Sequence, residues 1–165
     1  MRRLPLAFAA PIFLASSVPA ASPQQADPLR FFAGRTESHG SVKMLFKKAY
    51  ATHSVGVGRI EPDGSLSLVQ RVEDEGKPVL ERRWRVREAG PGRWTATMSQ
   101  ALGPVEIERV EDRYRFRFTM AGHLSVEQWL IPLPGANAAR TRSKVRKYGL
   151  TVATTEGVVR KVSDD

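Results

Sequence analysis

From Arg113 to Met120 the chain alternates without a break. Tyr114, Phe116, Phe118 and Met120 fall on one side, and Arg113, Arg115, Arg117 and Thr119 on the other. A two-residue period is that of a β-strand with one face buried and one face wet, because successive side chains point to opposite sides. The pattern recurs along most of the chain. Leu80, Arg82, Trp84 and Val86 alternate with Glu81, Arg83, Arg85 and Arg87, and Trp94, Ala96 and Met98 alternate with Thr95, Thr97 and Ser99. No helical period of comparable length competes with it. Turn residues punctuate the strands at Glu61-Pro62-Asp63-Gly64, Asp74-Glu75-Gly76-Lys77, Ala89-Gly90-Pro91-Gly92, Leu102-Gly103-Pro104, Glu111-Asp112, Ala121-Gly122, Pro132-Leu133-Pro134-Gly135 and Gly149. Proline fixes φ in such turns and glycine takes the left-handed position. The spacing predicts about nine short strands, roughly ten residues apart. The connections leave no room for long crossovers, so an antiparallel up-and-down meander barrel of about eight to ten strands is expected, an all-β fold. Closure also removes exposed strand edges. The segment 41–49 fits either a strand end or a short helix.

Composition bounds what such a barrel is for. The chain has 165 residues, 41% of them hydrophobic, which is enough for one domain with a core but not for two plus an export signal. There is no cysteine. Disulfides, thiolate metal sites, a cysteine nucleophile and lipid attachment at an N-terminal cysteine are therefore excluded. Arg2 and Arg3 precede an apolar, proline-containing run over residues 4–18, and Val18-Pro19-Ala20 places small residues at the −3 and −1 positions of a cleavage site. This is the pattern of a secretory signal peptide over residues 1–20, cleaved after Ala20, with Ser22 as the alternative. Residues 21–30 read as a flexible leader and 31–163 as a single barrel domain, periplasmic or secreted.

The formal net charge is +9, and +7 without Arg2 and Arg3 (24 basic side chains against 17 acidic). Such a charge favours anionic surfaces, phospholipid headgroups among them. The arginine stripes 83/85/87 and 113/115/117 would have to face the lumen of a membrane-spanning barrel, and the strands lack interfacial aromatic girdles, so a water-soluble barrel is expected.

Between Phe31 and Gly40 (Phe31-Phe32-Ala33-Gly34-Arg35-Thr36-Glu37-Ser38-His39-Gly40) the chain resembles an uncharacterised family of bacterial envelope proteins, domain of unknown function 3833. Its members open with Phe-Phe-x-Gly-x-Thr-Glu. Gln128-Trp129-Leu130 resembles the family's Asp-Trp-Met segment. Residues 139–149, with Arg140, Ser143, Lys144, Tyr148 and Gly149, resemble its Arg-x-x-x-Ser-Lys-Phe-Gly segment, and residues 156–161 its last strand. The resemblance spans residues 31–161 in order. It implies a lipocalin-like, calycin-type barrel and no activity. This chain departs from the pattern at His39, where the family commonly has an aromatic residue, and in lacking the cysteine of its many lipoproteins.

No constellation of residues identifies a reaction. Gly-x-Ser-x-Gly is absent, and Gly56-Val57-Gly58 lacks the helix that a phosphate-binding loop requires. His39, His53 and His123 match no zinc spacing, although His39 and His53 can meet across adjacent strands. Glu106 and Glu108 alternate outward and are expected to pair with Arg115 or Arg117 across the sheet. No catalytic residue, metal or cofactor is therefore expected. Arg82 and Gln128 are different, because they share faces with apolar residues. An inward charge must be paired, reach water or meet a ligand. One reading of the interior is a cavity for a small apolar or anionic amphipathic, lipid-like molecule. Trp84, Trp94, Tyr114, Phe116 and Phe118 would form its apolar wall, with Gln128 beside them and Arg82 near the head group. The other is a barrel filled by these side chains, acting as a structural or interaction protein through its basic outer face. Arg140, Arg142, Lys144 and Arg146 share one strand face and suit contact with an anionic surface such as a membrane. Nucleic acid is not expected, because the aromatics fall on the apolar faces rather than among the basic residues.

Overall fold

The computed structural model describes residues 27–164. The expected signal peptide and the leader up to residue 26 lie outside the described residues. Ten antiparallel strands close into a barrel: β1 (Gly34–Met44), β2 (Tyr50–Ile60), β3 (Leu66–Asp74), β4 (Leu80–Gly90), β5 (Arg93–Met98), β6 (Val105–Val110), β7 (Arg113–Met120), β8 (Leu124–Pro132), β9 (Ala138–Lys147) and β10 (Leu150–Ser163). Each strand pairs with its neighbours in sequence, and β1 pairs with β10 to complete the ring. The meander is therefore as the turn spacing predicts. The ambiguous segment 41–49 resolves into the end of β1 and a turn.

Closure depends on small residues at the seam. Gly40 of β1 lies opposite Gly157 of β10. A Cβ on Gly157 would come within 2.7 Å of the His39 carbonyl oxygen. The two backbones approach too closely there for any side chain.

The hairpins alternate between two ends. The turns at 61–65, 91–92, 111–112 and 133–137 form one end, together with both termini of the described chain. Those at 45–49, 75–79, 99–104, 121–123 and 148–149 form the other. The first end is plugged by a short helix, α1 (Pro28–Phe32). The Asp27 side chain accepts a hydrogen bond from the Leu29 amide at 2.9 Å, and proline occupies the first turn, where its missing N–H is harmless. Leu29 and Phe31 are buried among Leu66, Val86, Tyr114 and Leu130, each burial stabilising by about 1.5–3 kcal/mol. Residues 28–30, which the sequence assigns to the leader, are part of this helix. The expected leader gives up its last residues to this plug, because two large apolar side chains have a floor to cover.

The outer face of β6 and β7 is charged and paired within itself. Arg117 and Glu106 pair at 3.0 Å, and Arg115 pairs with Glu108, as the alternation predicts. Arg113 pairs with Glu111 at 3.3 Å. The Arg113 and Arg115 guanidiniums also lie over the Trp129 ring, at 5.1 and 5.6 Å from its centroid. This stripe is a cross-strand ion-pair ladder, not an open cationic face.

Candidate functional site

Above the plugged end the barrel is hollow. The cavity has a volume of about 710 Å³, within the range of sites that enclose one small molecule. The barrel is therefore not filled by its own side chains. Near α1 and the β5–β6 corner the interior is packed, with Leu66, Met98 and Val105 buried. The cavity reaches the open end between Met44, Tyr50, Lys77, Leu80 and Leu124.

The two halves of the wall differ chemically. Strands β1, β2, β9 and β10 contribute Ser38, Thr52, Ser54, Thr141 and Thr155, whereas β3, β4, β6 and β7 contribute Leu68, Val72, Trp84, Ile107, Phe116 and Met120. Hydroxyls thus face an apolar and aromatic wall. Val42, Met44, Val145 and Val159 are interspersed with the hydroxyls on the same strands.

Arg82 and Gln128 both border the cavity. The Arg82 Nε donates to Gln100 Oε1 at 3.1 Å, and Gln100 in turn donates to the Glu81 carbonyl at 3.2 Å. No carboxylate lies at ion-pair distance from Arg82 among the described residues. Burial pushes its guanidinium below the ordinary value, with the more distant Asp74 opposing the shift. Arginine nevertheless stays cationic at neutral pH. A positive charge on the cavity wall, held by a neutral amide, is a preformed site for an anion.

Nearer the mouth, Lys77 Nζ donates to Tyr50 Oη at 2.5 Å and lies 3.4 Å from Asp74 Oδ2. The hydrogen bond to Tyr50, helped by Asp74, raises the Lys77 pKa. Trp84 Nε1 donates to Gln70 Oε1 at 2.8 Å, which fixes the indole on the cavity wall.

Of the seven residues assigned to the cavity from sequence, Arg82, Trp84, Phe116 and Gln128 border it, and Trp94, Tyr114 and Phe118 do not. Trp94 and Tyr114 pack edge-on with ring centroids 5.7 Å apart. They follow the turns at the plugged end and so belong to the floor below the cavity. Phe118 packs edge-on against Trp84 at 6.3 Å. The hydroxyl wall, Gln70, Tyr50 and Lys77 were not anticipated. Their inward positions follow from the alternation, but they carry no apolar pattern to draw notice.

Arg140, Arg142, Lys144 and Arg146 lie together on the outer face of β9, away from the cavity. Arg142 approaches Glu156 at 3.5 Å, whereas Arg140, Lys144 and Arg146 make no ion pair among the described residues. Beyond β10, on the outer face of β1 and β2, His39 and His53 are register partners and their rings stack 4.6 Å apart. Both aim Nε2 at Glu37 Oε1, at 3.4 and 2.9 Å. The hydrogen bond from His53 lowers the Glu37 pKa.

A family model described as "Protein of unknown function (DUF3833)" matches residues 15–161. No curated protein matches the sequence. Among solved structures, the barrel is similar to the S-type phycobiliprotein lyase CPES of Guillardia theta, with a TM-score of 0.64 and 10% identity, over 83% of this chain and 92% of that one. It is similar to Rv2717c of M. tuberculosis, with a TM-score of 0.59 and 11% identity, over 82% and 95% of the two chains. A DUF3598-family protein of unknown function from Nostoc punctiforme gives a TM-score of 0.60 and 10% identity, over 87% of this chain and 53% of that one. At such identities the likeness is one of fold.

Proposed function

The chain belongs to the DUF3833 family of proteins of unknown function, and we propose that it is an exported binding barrel that holds one small amphipathic, lipid-like molecule. The apolar part lies against Trp84, Phe116 and Met120, and an anionic head meets Arg82. The observation that carries this reading is Arg82 itself, a cation bordering a hollow interior with a neutral hydrogen-bond partner and no counter-ion at ion-pair distance among the described residues. A partly buried charge left in that state is costly, and an anionic head group offsets the cost. The reading is of a carrier and not of an enzyme. That similar barrels include one called a phycobiliprotein lyase agrees with a fold suited to small ligands, but no substrate is taken from it.

The test is a titration with a long-chain carboxylate or phosphate ester and with the alcohol of equal chain length, followed by calorimetry and tryptophan emission. One equivalent of the anionic amphiphile is expected to bind. Arg82→Met should weaken it by about 10- to 100-fold, the range for a lost charge-assisted hydrogen bond, and leave the alcohol unchanged. Equal losses for both, or no binding of either, would sink the reading. Export rests on the pattern of residues 2–20. N-terminal sequencing of the protein recovered from its host should give Ala21 as the first residue, and Met1 would refute it.

A further inference from the structure

We propose that the two hairpin tips at residues 45–49 and 148–149 form a docking surface for an anionic lipid bilayer, which brings the mouth of the cavity against the membrane. This rests on the reading of the cavity as a site for a lipid-like molecule. The two hairpins are neighbours, because β1 and β10 are paired and the Leu45 amide donates to the Val152 carbonyl at 2.8 Å. Of the eleven exposed large hydrophobic side chains among the described residues, seven lie at the open end of the barrel, and four of these, Leu45, Phe46, Tyr148 and Leu150, belong to this pair of tips. Phe46 is 96% exposed and Tyr148 77%. Both aromatics have positive φ, 58° and 48°. Glycine or asparagine fills such a position with less strain, so these turns hold bulky rings outward at a conformational cost.

The charge around them matches one partner. Segments 43–49 and 146–151 carry Lys43, Lys47, Lys48, Arg146 and Lys147 and no acidic residue. Aromatic and aliphatic tips flanked by flexible cations suit the boundary between acyl chains and anionic head groups. Met44, Tyr50 and Ala153, which border the cavity, adjoin the same tips, so a molecule leaving the bilayer there would enter the barrel directly.

The chain has no cysteine, so a single environment-sensitive fluorophore can be placed at Phe46→Cys and, in a second variant, at Asp112→Cys on the opposite end. With phosphatidylglycerol-containing vesicles the label at 46 is expected to shift to the blue and the label at 112 to stay unchanged. Pure phosphatidylcholine should give no shift, and Lys47→Glu with Lys48→Glu should lower partitioning at least about tenfold. Equal shifts at both ends, or none on anionic vesicles, would overturn docking by these tips. A concentration-dependent shift without vesicles would instead identify a second copy of the chain as the occupant and also overturn it. Amphiphile titration of the labelled protein without vesicles separates the two claims. Binding without a vesicle shift condemns only the docking surface, and a shift without amphiphile binding condemns only the cavity reading.

A separate observation on the barrel wall carries a second site. We infer that Glu37, His39 and His53 bind a divalent transition metal such as Zn²⁺. One ligand atom from each lies within 4.8 Å of the others, and the two imidazole Nε2 atoms approach Glu37 Oε1 at 2.9 and 3.4 Å. Ligands of a tetrahedral zinc at about 2.0–2.1 Å lie roughly 3.4 Å apart, so little rearrangement is needed. The strand register positions all three. Glu73, held by Arg71 at 3.0 Å, lies 3.9 Å from His53 Nδ1, beyond hydrogen-bond distance but on the side from which a carboxylate can orient a metal-binding imidazole. Titration of the chain with zinc chloride is expected to show one site that His39→Ala and Glu37→Gln each weaken at least about tenfold, with His123→Ala unchanged. Unaltered affinity in His39→Ala, or a comparable loss in His123→Ala, would overturn it.

Discussion

A guanidinium on the inner wall of a barrel is a poor way to stabilise a fold. Arg82 hydrogen-bonds to Gln100 and lacks an ion-pair partner among the described residues, so an apolar side chain of similar length should replace it with little loss. Arg82→Met is expected to leave unfolding stability unchanged or raise it by about 1 kcal/mol, read from urea denaturation of the ligand-free protein. A loss of several kcal/mol would mean that Arg82 is structural and not held ready for a ligand. Asp63 is the opposite case, a charge whose partners are all in place. Its carboxylate accepts from the Ser65 hydroxyl and, at 3.0 Å, from the Ser65 amide, and meets Arg85 at 2.9 Å. These contacts lower its pKa from 3.8 to about 2, the Ser65 hydroxyl contributing most. A pKa lowered by folding stabilises the native state above the unfolded value of 3.8, and that contribution disappears as pH falls through about 2. An NMR titration should place Asp63 near 2, and Ser65→Ala should move it back toward 3.8. A midpoint that ignores this substitution would refute the assignment.

At the scale of the element, the strands were legible because their alternation is local. Arg83 and Trp84 must face opposite ways whatever the rest of the chain does. The helix α1 was not, since five residues cannot display a helical period. Its stop and start are written only in Asp27, Pro28 and two apolar side chains whose floor is assembled from strands far away in sequence. Height in the barrel was illegible for a related reason. Alternation tells that Trp94, Tyr114 and Phe116 all point inward, but the register of closure decides which layer each joins. Trp94 and Tyr114 fall into the packed floor, and Phe116 reaches the cavity. The docking of α1 gives a test at this scale. A Cβ on Gly58 would be driven into the Phe32 carbonyl oxygen, with Leu66 at 3.1 Å behind it. Gly58→Ala is expected to cost about 1–3 kcal/mol and to raise amide exchange through residues 29–33 ahead of the remaining strands. Unchanged exchange in that segment would show that the plug is not seated there.

Over the whole molecule, the plugged end, the hollow middle and the open mouth divide the stability of the barrel unevenly. The floor buries Leu29, Phe31, Tyr114 and Val159, whereas the wall above it borders about 710 Å³ that no side chain fills. Residues lining such a space forgo the dispersion contacts of a close-packed interior. A ligand that supplies them binds the native state and not the unfolded chain, so it must raise the unfolding temperature. At a concentration near one hundred times its Kd, an anionic amphiphile should stabilise the protein by about 2.7 kcal/mol, or roughly 10 °C for a domain of this size. The same amphiphile should stabilise Arg82→Met much less, because the head group loses its partner while the tail keeps its wall. Differential scanning calorimetry decides the matter. A shift of equal size in both proteins would place the head group elsewhere, and the hydroxyls of Ser38, Thr52 and Thr155 would then be the groups to substitute next.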